Sequence, residues 1–498
     1  ASARYGPGAM GGVVNLVTRS PGGQRLFGDV TLGSFATAQV SAGAATPLLG
    51  GDALVLLHGL HSEGTFDFLF DDKPALPGNP PLRLRRVNNG AALGGGLLRY
   101  RRALGATRLD VLAEGTFEQR GLAGPVQNPS SSAWQRTARG TFAGRTQTGF
   151  EAGGTLSTLA WGRLDDTALS GSYFGGAYRQ LEASAGAEAV YTHLLGRHGL
   201  TGLLTGGVDA LFAAERHTWG RLGAMLADDV LFFDGAWVVS GSVRLDLAGP
   251  FVVFSPKLGT QVELPLGFSL RANVGQASRP PGFQEMYVVQ GTLLPNATLR
   301  PERALTADVG AAWTHARARL SVAGFASLYE DLITYEYYPP NLARPYNFSA
   351  ASVAGLEAEA SLRPWPWLEA SASYTFTHSE NLRDDPRYYR KPLPFRPAHR
   401  LHARLSGGPW FLKARAELLF QSAQFTNRTA TLFVPERALV NLGVTVTPWR
   451  HPRVWLAAEL KNLLDVQTWD YDGYPLPPRA FFVTWGFSWE PQLQGAGR

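Results

Sequence analysis

Cysteine is absent from this chain of 498 residues, and its absence excludes several kinds of chemistry. A chain without cysteine has no disulfide, no thiolate nucleophile and no Cys-ligated metal. Lysine is also scarce, and the arginines that dominate the net charge of +6 are scattered along the sequence. Nucleic-acid-binding proteins concentrate their basic residues on one stripe or in a recognisable domain. We therefore predict that the protein has no nucleic-acid partner.

Long apolar runs are missing as well. The sequence has no uninterrupted stretch of about 18 apolar residues, which is the length that a membrane-spanning helix needs. Charged residues make up 17% of the chain and apolar residues 45%, while the mean hydropathy is only -0.09. A sheet with one apolar face and one polar face produces such an intermediate value. The first residues, Ala-Ser-Ala-Arg, show no basic patch before an apolar core, so no secretory signal is visible in this sequence.

The sequence lacks the motifs of the common enzyme classes. It contains no Gly-x-Ser-x-Gly, no phosphate-binding loop and no His-Glu-x-x-His. The glycine-dense opening stretch "RYGPGAMGGVVNLVT" (residues 4–18) is followed by no Lys-Ser/Thr pair and stands in no βαβ unit, so it is not a nucleotide loop. We predict that the protein is not an enzyme, and that it has no cofactor and no metal of its own.

The positive signal is an alternation of apolar and polar residues, repeated from about Gly28 to Trp489. In "GLEAEASL" (residues 355–362), the leucines and alanines fall on one face of a strand, and the two glutamates and the serine fall on the other. The segments "ARAELLFQ", "FSLRANVG", "LDVLAEGTF" and "LVNLGVTVT" repeat this pattern. Soluble β-sandwiches and β-propellers also alternate in this way. A propeller would in addition need a regular repeat, and the sequence shows none.

The connections between these segments favour a membrane barrel. Tight turns alternate with long polar and aromatic stretches, such as the one that follows Leu60 and the one that follows Thr377. Aromatic residues reach 11% and gather at segment ends, where they fit the girdles of an outer-membrane barrel, although a soluble sandwich core would also use them. At about 21 residues per strand and connection, the chain provides about 22 strands. We predict an all-β transmembrane antiparallel barrel with long extracellular loops and short periplasmic turns, which ends in the lipid-facing strand "AFFVTWGFSW".

A set of motifs, in order along nearly the whole chain, resembles the family of TonB-dependent outer-membrane receptors. The opening stretch resembles the last turn and strand of that family's plug domain. "SVRLDL" and "FSPKLG" resemble paired mid-barrel strands, and "QASRPPGFQEMY" with "NATLRPERALTADVG" resembles a loop followed by a strand that starts at Pro-Glu. "AGLEAEASLRP" and "LKNLLDVQTWDYDGYPLPPRAFFVTWGFSW" resemble later strand motifs. Pro478 departs from the family, which often has glycine before Arg479, so the conformation of this turn stays open.

The resemblance implies an outer-membrane location in a Gram-negative cell, with the end of a plug domain at 1–22, the barrel at 23–489 and a C-terminal tail at 490–498. It implies energy-dependent uptake of a scarce metal chelate, most often a ferric siderophore, with a cobalamin-type corrinoid as the main variant. The implied partners are the chelate, the TonB-ExbB-ExbD complex, and the lipid and lipopolysaccharide around a monomeric barrel. We expect the segment that contacts TonB to belong to an earlier part of the plug than this sequence contains. A plug-poor passive channel and a soluble β-rich binding protein are the alternatives.

Aromatic and arginine residues in the predicted outer loops are the candidates for ligand contacts. Flat rings beside guanidinium groups fit a bulky, anionic metal chelate, because they combine apolar contact, cation–π attraction and charge pairing. The same residues would also serve as an aromatic belt with arginines on anionic lipid. These candidates are Tyr335, Tyr337, Tyr338, Arg387, Tyr388, Tyr389, Arg390, Trp469 and Tyr471.

A second set of candidates surrounds a double proline. Pro280 and Pro281 fix φ and withhold two backbone donors, which favours the end of a strand over a direct ligand contact. Glu302 and Arg479 are predicted to be lumen-facing charges that pair with polar groups of the plug or the wall, and the resemblance implies that such charges lock and release a plug. The full set is Arg279, Glu285, Tyr287, Glu302 and Arg479.

Neither the acidic residues nor the histidines predict a metal site. The carboxylates of the predicted loops lack the spacing of an EF-hand, so we interpret them as solvated; they are Asp67, Asp71, Asp72, Asp384 and Asp385. Two histidine pairs are spaced by three residues, a spacing that points the rings to opposite faces of a strand; they are His58 with His61 and His399 with His402.

Overall fold

The architecture is one antiparallel sheet that closes on itself. A computed structural model of the protein describes residues 6–8, 10, 12–15, 18, 21–71, 78, 80–171, 176–338 and 342–491, with the backbone alone at positions 337, 338, 348 and 349. The first strands are β1 (Arg25–Gly33), β2 (Thr37–Leu48), β3 (Gly51–Ser62), β4 (Phe66–Phe70), β5 (Leu82–Arg86), β6 (Ala91–Leu104), β7 (Thr107–Gly121), β8 (Trp134–Gly149), β9 (Gly154–Ser170), β10 (Tyr178–Leu195), β11 (His198–Phe212), β12 (Arg216–Phe232), β13 (Trp237–Ala248), β14 (Phe251–Phe254) and β15 (Lys257–Leu264).

The second half of the chain continues the same meander. Its strands are β16 (Phe268–Arg279), β17 (Glu302–His315), β18 (Ala318–Tyr338), β19 (Leu342–Trp365), β20 (Leu368–Asn381), β21 (His399–Gly407), β22 (Leu412–Gln421), β23 (Gln424–Phe425), β24 (Phe433–Val434), β25 (Arg437–Arg450), β26 (Arg453–Lys461), β27 (Trp469–Tyr471), β28 (Tyr474–Pro475) and β29 (Ala480–Trp489). The helix α1 (Phe283–Tyr287) follows β16. Among the described residues, no helix is long and apolar enough to cross a membrane.

Closure depends on the pairing of the first strand with the last. β1 pairs with β2 on one side and with β29 on the other, in a register that sets Leu26 opposite Trp489 and Gly33 opposite Phe482. β14 and β15 both pair with β13, so they form one interrupted strand of the wall. The hairpins β4–β5, β23–β24 and β27–β28 are separate small sheets. The closed wall therefore has 22 strands, which confirms the predicted architecture.

Successive side chains of each wall strand point to the lipid and to the lumen in turn. On β11 the outward Leu204 is 65% exposed, whereas the inward Leu203 is 1% exposed and packs with Val190 and Met225. The outer face is apolar, and the inner face of β6 to β13 carries paired charges. These pairs are Arg99 with Asp110, Arg163 with Asp165, Arg221 with Asp209, and Arg244 with Asp246. The wall is thus apolar outside and ionic inside.

The two rims of the barrel differ in the length of their connections. At one rim, turns of two to four residues join the strands, as at 105–106 and 316–317. At the other rim, four connections are equally short, and the longest ones are 63–90, 280–301, 382–398 and 462–479. Because outer-membrane barrels have short periplasmic turns and longer extracellular loops, the rim with the long connections is the outer one.

Aromatic pairs mark the inner rim. The ring centroids of Phe232 and Trp237 are 4.9 Å apart, and those of Trp365 and Trp367 are 5.5 Å apart. The indole N–H of Trp237 donates to the hydroxyl of Thr260 at 2.8 Å. A ring that is apolar over most of its surface and hydrogen-bonded at one edge is stable at the boundary between lipid and water.

The strand expected at the end of the opening stretch is not formed by the residues described there. Positions 13–15 and 18 have no ladder pairing. Instead, the amide of Gly8 donates to the carbonyl of Ser278 at 2.9 Å, and Arg99 donates to the carbonyl of Thr18 at 2.9 Å. A period-two pattern forms a strand only where a neighbouring backbone offers hydrogen bonds, and here the contacts are isolated ones.

We predict that a charge on the outer face destabilises the barrel, whereas the same charge on the inner face does not. Leu204→Arg puts a guanidinium on the lipid side near the middle of β11 and should cost about 2–4 kcal/mol of unfolding free energy. Ser184→Arg, on the lumen side of β10 opposite Asp209, should change it by less than about 1 kcal/mol. Denaturant unfolding in lipid vesicles measures both, and equal losses would contradict the assigned faces.

Candidate ligand-binding site at the outer rim

Arg279, at the outer end of β16, is the centre of an ionic cluster. Its Nε donates to Oε2 of the buried Glu302 at 2.5 Å, and its two terminal nitrogens donate to the carboxylate of Glu285 at 3.0 Å each. The other carboxylate oxygen of Glu302 accepts the amide of Ile333 at 2.7 Å, and Glu285 caps α1 by accepting the amide of Gly282 at 2.7 Å. This cluster therefore joins β16, β17, β18 and the loop between β16 and β17.

Tyr335 and Glu336 extend this cluster along β18. The guanidinium of Arg428, from the loop before β25, donates to the carbonyl of Tyr335. Glu336 lies 3.9 Å from Arg428 and also 3.9 Å from Arg383, which belongs to the loop after β20. One acidic side chain thus lies between arginines from two different outer loops. At such distances the attraction is weak enough for an anionic ligand to compete for the arginines.

The loop 382–398 carries four of the predicted residues in one turn. Arg387 bonds the carboxylate of Asp385 at 2.9 Å and lies 5.1 Å from the ring centre of Tyr388. Arg390 lies 5.9 Å from the ring centre of Tyr389 and 4.0 Å from Glu380. Each of these tyrosines is therefore in cation–π contact with an arginine.

Two residues of this loop adopt left-handed backbone conformations that side chains rarely adopt. Arg390 has φ of 58° and Phe395 has φ of 60°. The amide of Arg390 donates to the carbonyl of Asn381, and the amide of Phe395 donates to the carbonyl of Phe425. Such conformations cost about 1–3 kcal/mol each and persist only where neighbouring contacts impose them. The loop is therefore held in shape by the end of β20 at Arg390 and by a neighbouring loop at Phe395.

Trp469 and Tyr471 join the last loop to distant parts of the outer rim. The ring of Trp469 packs edge-on against Phe68 with centroids 6.0 Å apart, and it lies 6.2 Å from Phe70. Tyr471 stacks on Phe395 at 5.4 Å. The amide of Leu69 also donates to the side chain of Gln467 at 2.7 Å. Loop 462–479 therefore contacts both loop 63–90 and loop 382–398.

Tyr287 belongs to a separate aromatic cluster at the outer end of β12. It stacks on His217 with centroids 3.8 Å apart, and Trp219 packs against Phe283 at 4.5 Å and against Phe251 at 5.9 Å. These contacts fasten α1 to the wall. Tyr287 thus packs the loop between β16 and β17 against the outer end of β12.

Most of the predicted residues whose side chains are described are thus connected through the outer loops, and the exceptions are Tyr287, in its separate cluster, and Arg479. Arg479 bonds Asp465 of its own loop, through its amide at 2.7 Å, and so does not pair with the wall cluster around Glu302. The side chains of Tyr337 and Tyr338 lie outside the described residues, as does Asp72. Among the described residues no group of three potential ligands is arranged to hold a metal ion. His399 bonds Tyr374 at 2.8 Å, and His402 bonds Glu417 at 2.9 Å.

Several residues of this rim carry no recognisable signal in the sequence. Arg428, Arg383 and Glu336 become neighbours only because β18, β20 and β25 bring three loops to the same side of the mouth. The hairpin β4–β5 does have a short local signal, since "FDF" and "LRLR" alternate apolar and charged residues. Nothing in those letters indicates that Phe68 contacts Trp469, about four hundred positions later in the chain.

The closed wall, the aromatic pairs at its inner rim and the long outer loops define a transmembrane barrel of the outer-membrane type. A family model described as "TonB dependent receptor-like, beta-barrel" matches residues 58–463. The chain therefore belongs to the TonB-dependent receptor family, whose members are receptors and transporters, and it is an outer-membrane protein.

Solved structures with the same fold include three receptors of this kind. The copper transporter OprC aligns with a TM-score of 0.78 and 15% identity, over 95% of this chain and 82% of that chain. The siderophore receptor PirA from Pseudomonas aeruginosa aligns with a TM-score of 0.72 and 16% identity, over 98% and 84%. A mutant of the ferric enterobactin receptor PfeA from Pseudomonas aeruginosa aligns with a TM-score of 0.77 and 18% identity, over 98% and 83%. No curated protein matches the sequence.

We predict an unusually acidic carboxyl group in loop 382–398. Hydrogen bonds from the side chain and amide of Arg387 lower the pKa of Asp385 to about 2, from an ordinary value of 3.8. Because the folded pKa is depressed, the pair stabilises the loop fully above the ordinary value and loses this contribution as the pH falls towards 2. Carboxyl NMR titration should show an upward shift in Arg387→Gln and none in Arg390→Gln. Identical titrations in both variants would refute the pairing.

We also predict that Trp469 fastens the β4–β5 hairpin to the last loop. Trp469→Ala removes two ring contacts, each worth about 0.5–1.5 kcal/mol, so amides of Phe66–Phe70 should exchange with solvent about ten times faster. Hydrogen-exchange mass spectrometry measures this rate. Trp410→Ala, the same change at the inner rim beside Phe411, is the matched control and should leave the hairpin unaffected. Unchanged exchange in Trp469→Ala would show that the hairpin is held by other contacts.

Proposed function

We propose that this protein takes up a metal chelate across the outer membrane, and that the chelate is a ferric siderophore. The observation that carries the proposal is the connected outer rim, in which Arg383 and Arg428 both lie 3.9 Å from Oε1 of Glu336, and Arg428 also bonds the carbonyl of Tyr335. Membership of the receptor family supports it. The protein acts in this proposal as a receptor and not as an enzyme.

The chemistry of the rim fits a bulky anion with flat faces. The guanidiniums of Arg387 and Arg390 lie over tyrosine rings, so a chelate would meet both a π-face and a positive charge at each position. Arg428 and Arg383 offer charge-assisted hydrogen bonds to anionic oxygens of the ligand, in competition with Glu336. The loops that carry these residues contact one another, which lowers the entropy cost of arranging them around a ligand.

We also propose that the segment 1–22 is the end of a plug domain. Its described residues contact β16 through Gly8 and β6 through Thr18. In this proposal the TonB-ExbB-ExbD complex supplies the energy that moves the plug and opens a path. The barrel works as a monomer surrounded by lipid and lipopolysaccharide. The segment 490–498 follows the barrel strand β29 as a tail.

Binding of ferric siderophores to the purified protein in detergent tests the proposal. Quenching of tryptophan fluorescence should show saturable binding of a ferric catecholate or hydroxamate. Arg428→Ala and Tyr388→Ala should each weaken the binding about tenfold, the loss expected for about 1.4 kcal/mol. Arg317→Ala, in an inner-rim turn at the opposite end of the barrel, should leave the affinity unchanged.

Three further measurements separate the alternatives. Cells that lack TonB should lose uptake of the chelate while they keep the binding. Binding of cobalamin without binding of any ferric chelate would replace the proposed ligand with a corrinoid. A large steady current in a planar bilayer, together with no ligand binding, would show that the protein is a passive channel and not a receptor.

A further inference from the structure

Three arginines project from the outside of the barrel at the outer ends of nearby strands. They are Arg136 on β8, Arg179 on β10 and Arg216 on β12. The strand registers from β8 to β12 place each of them on the same face as the outward Leu204 of β11. All three residues are exposed. They therefore face the surroundings of the barrel and not its lumen.

These arginines lie at the height of lipid headgroups. On β10, Tyr191 comes twelve residues after Arg179, and its outward ring packs near the inner rim against Phe150, with centroids 6.4 Å apart. Strands rise about 3.3 Å per residue and tilt by about 40° in such barrels, so Arg179 lies about 30 Å above Tyr191 along the barrel axis. The apolar band of an outer-membrane barrel is about 25 Å tall. Arg179 is therefore just above this band, on the outer side.

Two of the three arginines are held by neutral groups. Arg136 lies over the ring of Trp134, 4.7 Å from its centroid, and donates to the side-chain oxygen of Gln119 at 2.9 Å. Arg216 lies over the ring of Phe212 at 4.8 Å. An aromatic face orients a guanidinium without neutralising its charge. In the described part of the chain, these two positive charges therefore remain available to an anion.

Arg136 and Arg179 are separated by one small residue. Both stand directly opposite Ala168 of β9, one on each side, so their Cα atoms are about 10 Å apart. Arg179 forms two bonds to the carboxylate of Asp166, at 2.9 and 2.7 Å, and its side chain is 73% exposed. An ion pair this exposed is weak enough for a phosphate to replace the carboxylate. The short side chain of Ala168 leaves room for a headgroup between the two guanidiniums.

The excess of outward positive charge is local to these strands. On β17, the outward Arg303 also lies at the outer end of its strand, but it stands directly opposite Glu330 of β18. On the closing strand β29, the outward residue at the outer end is Phe481, which is 51% exposed. A lipid with several negative charges would therefore prefer the side of the barrel from β8 to β12.

We propose that this basic patch binds one molecule of lipopolysaccharide through the two phosphates of its lipid A headgroup. Arg136 and Arg179 each bind one phosphate by paired, charge-assisted hydrogen bonds, and Arg216 adds positive charge beside them. The acyl chains pack on the apolar wall below, where Phe142 and Leu164 are 57% and 56% exposed. This inference gives the lipid of the proposed function a defined site, and it rests on the outer-membrane location and not on the proposed chelate.

Native mass spectrometry of the purified full chain in detergent tests the site. Titration with lipid A should show one lipid retained per barrel. Lipid A that lacks one phosphate should bind about tenfold more weakly, and complete lipid A should bind Arg136→Ala or Arg179→Ala about tenfold more weakly, because each change removes a charge-assisted contact. Asp166→Asn should bind lipid A about threefold more tightly, because it removes the carboxylate that competes for Arg179.

Arg303→Ala is the matched control. It removes an outward arginine from the outer end of another strand, where Glu330 stands opposite. It should leave the affinity for lipid A unchanged. If Arg136→Ala or Arg179→Ala does not fold, Asp166→Asn decides the question, because it keeps all three arginines and shifts the affinity in the opposite direction.

The site is wrong if phosphatidylglycerol, which has a single phosphate, binds as tightly as lipid A, or if Arg303→Ala weakens binding as much as Arg136→Ala. It is also wrong if Arg136→Ala and Arg179→Ala both bind lipid A like the unmodified protein. Ferric chelate binding on the same samples separates this result from the proposed function. Specific lipid A binding with no chelate binding would leave the site in place and overturn the ligand. Normal chelate binding without preference for lipid A would overturn the site alone.

Discussion

The pairing of β1 with β29 is the interaction on which the rest of the structure depends. In a membrane no water is available to bond exposed amides and carbonyls, so a sheet with free edges would leave a row of unpaired groups on each side. The register from Leu26 opposite Trp489 to Gly33 opposite Phe482 joins the two ends of the sheet. Once the sheet is closed, each strand has a lipid side and a lumen side, and the alternation of the sequence is satisfied everywhere.

Closure also explains why arginine and aspartate recur on one side of the strands from β6 to β13. Charges on the lipid side would be costly, whereas charges in the lumen can pair across neighbouring strands or contact a segment that enters the bore. Arg99 does both, since it bonds Asp110 across the sheet and Thr18 from the N-terminal segment. Arg244 is likewise paired with Asp246 and lies against Gly6. The charged groups of the inner wall can therefore bind a polypeptide segment as well as water.

The outer rim differs from the wall, because contacts between its loops help to hold those loops in place. The left-handed backbone conformation of Phe395 is held by a hydrogen bond to Phe425 of a neighbouring loop, and that of Arg390 by a hydrogen bond to Asn381 at the end of β20. The packing of Trp469 on Phe68 joins residues that are adjacent in space only because the last loop and the first long loop meet across the closure. A ligand site built from such loops is pre-shaped by contacts between loops and only indirectly by the wall.

The sequence by itself determined the wall. Three local patterns predict the closed barrel and its two faces: the period-two alternation, the succession of short and long connections, and the aromatic residues at segment ends. Each pattern follows locally from a sheet with one face in lipid and one in water. The candidates Arg387, Tyr388 and Tyr389 are also predicted from a local feature, because they are neighbours in the sequence. Only the tertiary structure decided that Glu336 lies between Arg383 and Arg428, that Arg479 bonds its own loop, and that Arg99 holds Thr18. Those contacts join residues far apart in the chain, and only the closure of the sheet brings them within reach.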